Sequence, residues 1–129
     1  MRLLRCALLM TSASAFDVAV VTGAGSGIGR AVARAICDRG VKVVGVGRRE
    51  DALRETGRLC GGDGQFCAVP ADVSTAAGRD RVADAVRGDG APLRAIVVHN
   101  AATVGQLAPS ASLAVDRWRE TMATNVEGP

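Results

Sequence analysis

The sequence predicts an α/β domain in which a parallel β-sheet is covered by helices on both faces. From residue 17 onward, short β-branched runs alternate with amphipathic segments of about a dozen residues. The first run leads directly into four glycines at alternate positions, written GAGSGIG from Gly23 to Gly29. No internal repeat and no linker rich in Pro, Gly or Ser divides the chain. Strands separated by helices of this length are joined by right-handed crossovers, which build a parallel sheet.

Each element follows from a local pattern. The first strand covers Val18 to Thr22, a β-branched run that ends in glycine, as a buried parallel strand does. The next segment, 28–39, predicts a helix that ends at Gly40. Its expected apolar face is Ile28, Val32, Ala35 and Ile36, and its expected outer face is Arg30, Arg34 and Arg39. The remaining elements are a strand over 41–47, a helix over 50–60 closed by two glycines, a strand within 65–73, a helix over 76–87, a strand within 93–101 and a helix over 112–126.

Composition indicates one globular domain and disfavours several classes of function. The chain has 129 residues, of which 48% are hydrophobic and 22% charged, and a net charge of +3. Its basic residues are spread out, and Phe16, Phe66 and Trp118 are its only aromatics. A nucleic-acid partner is therefore not expected, because a basic stripe and stacking platforms are lacking. A membrane partner is not expected either, because no run approaches the roughly 18 apolar residues of a span.

The cysteines and the N-terminal segment bear on the compartment. Cys6, Cys37, Cys60 and Cys67 show no metal-ligand spacing, so we expect reduced thiols, no metal and a cytoplasmic location. Residues 1–16 differ from the rest and form a separate leader. Two arginines and no acid lie within residues 1–15, whose apolar stretch is too short for a secretory signal. Either the leader is disordered or residues 1–15 target the protein to an organelle.

The glycine stretch lies at the predicted turn between the first strand and the first helix. A helix N-terminus offers unpaired N–H groups and the positive end of its dipole, both of which suit a pyrophosphate. The alternative is a glycine-rich turn that binds no ligand. A nucleoside-triphosphate loop is excluded because the Gly-Lys-Ser/Thr ending is missing. The register is not G-x-G-x-x-G but T-G-x-x-x-G-x-G, with Thr22, Gly23, Gly27 and Gly29.

This register resembles that of the short-chain dehydrogenase/reductase family, and three further motifs follow in the family's order. Asp72-Val73 is similar to the family's D-V pair, whose carboxylate accepts a hydrogen bond from the adenine amino group. The segment Asn100–Ala102 resembles the N-N-A-G motif that lines the cofactor ribose, with His99 and Ala102 as departures from it. Asn125-Val126 resembles the N-V pair, whose Asn binds a water of the catalytic proton relay.

The resemblance implies a Rossmann-type doubly wound parallel sheet. Residues 17–129 would form one NAD(P)-binding domain and supply four strands in the order 3-2-1-4, with the fourth strand left as an edge. The expected cofactor-binding residues are Thr22, Gly23, Ser26, Gly27, Ile28, Gly29, Arg48, Arg49, Asp72, Val73, Asn100, Ala101 and Ala102. Members of the family commonly form dimers or tetramers, so the resemblance also allows a homo-oligomer.

The end of the second strand favours NADP(H) over NAD(H). An NAD site usually places an acidic residue there to bind the ribose 2′-OH, but this chain has Gly47 followed by Arg48 and Arg49. An arginine can bind a 2′-phosphate through charge-assisted hydrogen bonds, whereas a carboxylate would repel it. We therefore predict NADP with Arg48 as the main contact. NAD remains the alternative, in which both arginines are solvated turn residues.

The catalytic residues of the family are missing from the 129 residues. The family uses a Ser, a Tyr and, three residues beyond the Tyr, a Lys, all located after the position of Asn125. This chain has no Tyr, and its single lysine, Lys42, lies in the second strand. We therefore expect a truncated piece of an NADP-dependent oxidoreductase for a small carbonyl or alcohol substrate, with Asn125 as its one catalytic candidate and no activity of its own. The alternatives are a non-catalytic dinucleotide-binding or regulatory module and a truncated inactive gene product.

Overall fold

The computed structural model describes residues 15–87 and 94–129. Strands and helices alternate along this part of the chain, as predicted. They are β1 (Val18–Thr22), α1 (Gly27–Cys37), β2 (Lys42–Gly47), α2 (Glu50–Leu59), β3 (Phe66–Pro70), α3 (Ala76–Val86), β4 (Ala95–Val98) and α4 (Val115–Met122), with a 3₁₀ turn at Ser110–Ser112 and a π-helical turn at Ala123–Glu127. Except for its last two residues, the predicted leader lies outside the described residues.

The four strands form one parallel sheet in the order β3-β2-β1-β4, which confirms the predicted order. Val20 pairs with Val44 on one side and with Val97 on the other. Because the strands are parallel, their carboxyl ends meet at one edge of the sheet. The chain adds β2 and β3 on one side of β1 and then crosses back to add β4 on the other side of β1. The gap between the carboxyl ends of β1 and β4 is therefore the topological switch point, where doubly wound sheets bind ligands.

The two faces of the sheet carry separate apolar clusters. Side chains alternate along a strand, so Ala19 and Val21 point to one face and Val18 and Val20 to the other. The first face is covered by α1 and α2, and the second is covered by α3. Helices on both faces explain why β1 is apolar at nearly every position and is buried along its whole length.

The predicted apolar face of α1 is correct at Val32 and Ile36, which are half-buried and pack against the core, and wrong at Ile28 and Ala35. Ile28 is 75% exposed and Ala35 is also exposed, whereas Gly29, Ala33 and Cys37 are buried. The small residues face the sheet because the short glycine turn brings the start of α1 very close to β1. Large apolar side chains do not fit in that space.

The last helix is shorter than predicted and changes type. The prediction was a single helix over 112–126, but Ser110–Ser112 forms a 3₁₀ turn and α4 begins only at Val115. After Met122 the chain widens into the π-helical turn, which contains Asn125. Such turns are uncommon and often lie at functional sites.

Two of the described cysteines are buried in the core beside each other. Cys37 and Cys60 are buried and free, and Cys67 is half-buried, while Cys6 lies outside the described residues. Burial, followed by the neighbouring thiol of Cys60, raises the pKa of Cys37 to about 12.

Strand β4 pairs with β1 only, among the described residues, and most of it is exposed, as predicted for an edge. No helix in the described ranges has the length and hydrophobicity of a membrane span.

Candidate functional site: the carboxyl edge of the sheet

The glycine loop joins β1 to α1 at the carboxyl edge of the sheet. Gly23 and Gly27 adopt φ values of +68° and +52°, which favour glycine. Ser26 precedes the helix in an extended conformation, and its side chain does not cap the helix. The first helical hydrogen bond runs from the N–H of Arg30 to the carbonyl of Ser26. The earlier N–H groups of α1 are therefore available to an anion.

Two glycines of the loop make room for different neighbours. A Cβ atom on Gly27 would meet no heavy atom within 4 Å, so the loop is open at this point. A Cβ atom on Gly29 would collide with the carbonyl oxygen of Gly23 and lie 2.6 Å from Nδ2 of Asn100. Gly27 thus leaves space for a ligand, and Gly29 allows the helix to approach the strand.

A hydrogen-bonded clamp joins the ends of β1 and β4. The hydroxyl of Thr22 accepts hydrogen bonds from the N–H groups of Asn100 and Ala101 at 3.0 and 2.9 Å. In return, the amide Nδ2 of Asn100 donates to the carbonyl of Thr22 at 3.0 Å. Thr22 is buried, and its hydroxyl holds the ends of β1 and β4 together at this edge of the sheet. His99 and Ala102, which flank this clamp, are exposed.

The end of β2 carries a basic corner. Arg48 and Arg49 are exposed, and in the described part of the chain neither side chain forms a hydrogen bond or ion pair. A Cβ atom on Gly47 would come no nearer than 3.4 Å to the side chain of Leu53, an ordinary contact. The chain therefore has space for a Cβ atom at Gly47 and presents two exposed guanidinium groups beside it.

Asp72 lies at the end of β3, next to this basic corner. Its Oδ1 accepts hydrogen bonds from the hydroxyl of Ser74 at 2.6 Å and from the N–H of Ser74 at 3.0 Å. These bonds, together with the positive charge of Arg48, lower the pKa of Asp72 below the usual value of an aspartate. The carboxylate is therefore ionised at neutral pH and can accept a hydrogen bond from a ligand. Val73, which follows it, is buried.

Asn125 lies in the π-helical turn and contacts the loop that follows β4. Its Oδ1 accepts from the N–H of Thr103 at 2.9 Å, and its Nδ2 donates to the carbonyl of Thr103 at 2.9 Å. Both polar groups of this exposed side chain thus bind the loop that follows β4. The side chain fixes the relative position of that loop and the π-helical turn.

The predicted cofactor residues lie at the carboxyl ends of the four strands, either at the last residue of β1, in the loops that follow the strands or in the first turn of α1. Asn125 is the exception, because it is joined to this edge only through Thr103. Two residues that the sequence analysis did not select also contact the glycine loop: Arg30 from α1 and Thr56 from α2. Arg30 was expected on the outer face of α1. Its inward position followed from no sequence signal, because it depends on how α1 and α2 pack.

Known proteins match this chain over nearly its whole length. A model of the short chain dehydrogenase family matches residues 17–129. D-threitol dehydrogenase of Mycolicibacterium smegmatis is 36% identical over 112 residues, an alignment that covers 86% of this chain and 42% of that protein.

Solved structures of two reductases are also similar to this chain. A 3-ketoacyl-ACP reductase from Sinorhizobium meliloti 1021 is 42% identical with a TM-score of 0.76, covering 86% of this chain and 44% of its own. L-sorbose reductase from Gluconobacter frateurii, solved with NADPH and L-sorbose, is 33% identical with a TM-score of 0.76, covering 86% and 42%. The chain therefore spans less than half the length of these relatives.

Proposed function

The chain belongs to the short-chain dehydrogenase family, and we propose that it is the cofactor-binding portion of an NADP(H)-dependent oxidoreductase. One observation carries this proposal. The uncapped N-terminus of α1 and the free guanidinium groups of Arg48 and Arg49 lie along one edge of the sheet. Donors and positive charges at one edge suit a dinucleotide that carries a pyrophosphate and a 2′-phosphate.

Each part of the cofactor has a corresponding group in this proposal. The pyrophosphate binds at the glycine loop, where the space beside Gly27 is open. The 2′-phosphate binds Arg48, with Arg49 beside it, and the ionised carboxylate of Asp72 accepts from the adenine amino group. The segment Asn100–Ala102 lines the ribose, and the clamp with Thr22 keeps that segment next to the glycine loop.

The substrate is a small carbonyl compound or alcohol, and the nicotinamide ring supplies or accepts the hydride. A developing alkoxide also needs a proton donor, and these 129 residues contain no Tyr and one Lys. We therefore propose that the 129-residue chain binds cofactor but has no turnover by itself. Turnover of a panel of ketones and aldehydes with NADPH would contradict this point.

Two further points remain proposals. The full-length protein forms a homo-oligomer, and in support of this α4 exposes Val115 and Trp118.

The compartment of the protein is the cytoplasm, which the free thiols of Cys37 and Cys60 support. Targeting to an organelle by residues 1–15 is the alternative, and imaging of the tagged protein with and without those residues tests it.

The cofactor preference is tested by titrating NADPH and NADH into the chain and into the double variant Gly47→Asp/Arg48→Ala. The double variant removes the phosphate contact and adds a carboxylate at Gly47, where a Cβ atom makes only an ordinary contact with Leu53. We expect the affinity for NADPH to fall at least about tenfold, because a charge-assisted hydrogen bond contributes about 1.5–3 kcal/mol. The affinity for NADH should be unchanged or should rise.

The matched control is Arg54→Ala, which removes an exposed arginine from α2 that pairs with Glu50. It should leave both affinities unchanged. An undiminished affinity of the double variant for NADPH would contradict the assignment of the 2′-phosphate to Arg48.

A further inference from the structure

Two side chains contact the carbonyl groups of the glycine loop from the α2 side. The hydroxyl of Thr56, on α2, lies 2.9 Å from the carbonyl oxygen of Ala24. The guanidinium Nη2 of Arg30, on α1, donates to the carbonyl of Gly25 at 2.6 Å, and its Nε donates to the Thr56 hydroxyl at 3.0 Å. Arg30 and Thr56 thus form one network with two successive carbonyl groups of the loop.

This network determines where the neighbouring N–H groups point. The described chain contains no cis peptide bond, and in a trans peptide the C=O and the N–H point in opposite directions. The N–H of Gly25 therefore points away from Thr56, and the N–H of Ser26 points away from Arg30. Neither N–H has an acceptor among the described residues, so both are available to a ligand on the side opposite to α2.

The charge of Arg30 is not balanced by an acidic side chain. Arg30 is half-buried, and its described hydrogen bonds go to Gly25, Thr56 and the carbonyl of Ala52. No carboxylate pairs with it within residues 15–87 and 94–129. A half-buried cation without a counter-ion favours an anion at the loop it contacts, and its field adds to that of the α1 N-terminus.

We propose that Arg30 and Thr56 are positioning residues for the cofactor, which orient the peptide units of the loop so that the N–H groups of Gly25 and Ser26 face a cofactor phosphate. The proposal rests on the proposed function, because it takes the ligand to be NADP(H). Thr56 acts by orientation alone, being fully buried. Arg30 acts by orientation and by charge.

The first test titrates NADPH into the wild-type chain and into Thr56→Val, Thr56→Ser, Arg30→Met and Arg34→Met at several salt concentrations. Thr56→Val removes the hydroxyl and keeps the shape, and we expect its affinity to fall about five- to tenfold. Thr56→Ser keeps the hydroxyl and should stay within about twofold of the wild type. Arg30→Met should lose about tenfold and also show a weaker dependence of affinity on salt.

Arg34→Met is the matched control, because it removes an exposed arginine one turn further along α1. It should change neither the affinity nor the salt dependence. A merely structural role of Arg30 would lower the affinity without changing its dependence on salt. If Thr56→Val and Arg30→Met bind NADPH as the wild type does, the inference is overturned.

A second measurement needs no variant and holds even if a substitution prevents folding. In amide NMR spectra of the wild-type chain, we expect NADPH to shift the resonances of Gly25 and Ser26 strongly. Binding of NADPH without any shift of these two resonances would overturn the inference alone. Failure of the folded wild type to bind NADPH would instead contradict the proposed function.

Discussion

Gly29 lies where the first helix comes nearest to the first strand. A Cβ atom there would collide with the backbone oxygen of Gly23, which cannot move without moving the loop. We expect Gly29→Ala to lower the free energy of unfolding by about 1–3 kcal/mol, the usual cost of overpacking. We also expect the affinity of this variant for NADPH to fall at least about tenfold, because the N–H groups of the displaced loop no longer point at the cofactor phosphate.

Urea denaturation and NADPH titration measure the two effects separately. Gly64→Ala is the matched control, because a Cβ atom at Gly64 would meet nothing within 4 Å. The control should change neither quantity. Gly29→Ala with an unchanged NADPH affinity would mean that the loop geometry does not determine cofactor binding.

At the residue scale, the sequence predicted the residues of the loop but not those that support it. The spacing of Gly23, Gly27 and Gly29 is local, so one strand-to-helix turn accounts for it. Arg30 and Thr56 are 26 residues apart, and they meet only because α1 and α2 pack side by side. Such a meeting depends on tertiary structure, which the local pattern does not contain.

At the scale of the elements, periodicity located helices and strands but misjudged two of them. Counting large apolar residues along α1 located Val32 and Ile36 correctly but missed the small buried residues Gly29 and Ala33. It also placed Ile28, which is exposed, in the core. The π-helical turn around Asn125 was missed because one extra residue in a helical turn leaves no mark on the apolar pattern.

An ion pair joins the starts of the neighbouring strands β1 and β4. Oδ1 of Asp17, before β1, lies 3.1 Å from Nη2 of Arg94, and its Oδ2 accepts from the N–H of Arg94 at 2.8 Å. The hydrogen bonds of the Arg94 side chain and backbone lower the pKa of Asp17 below 3.8. The unfolded chain therefore binds this proton more readily than the folded chain does.

Stability from Asp17 should consequently be present above about pH 4 to 5 and be lost as the pH falls through its lowered folded pKa. We expect Asp17→Asn to unfold at a lower urea concentration than the wild type at pH 7, and the difference between the two to shrink on acidification. Asp116→Asn is the control, because it changes a highly exposed carboxylate on α4. A gap for Asp17→Asn that is the same at pH 3 and pH 7 would contradict the assignment.

At the scale of the whole molecule, strand order came from resemblance and not from pattern. Alternating strands and helices indicate a parallel sheet, but they do not say which strands are neighbours. The four family motifs supplied the order, and the pairing of β1 with both β2 and β4 confirms it. That pairing creates the switch point beside β1, so the topology itself brings the glycine loop and Asn100 together.

The same topology leaves β4 as an exposed edge among the described residues. Val97 is 49% exposed and Ile96 is 37% exposed, and an apolar edge strand can pair with another chain. We expect the 129-residue chain to associate as its concentration rises, and Val97→Lys to suppress this by placing a charge on the edge. Static light scattering over a concentration series measures the effect. Leu59→Lys is the control, since it changes a 42% exposed leucine on α2 away from the edge. Equal suppression by both variants would show that general surface charge, rather than the β4 edge, governs association.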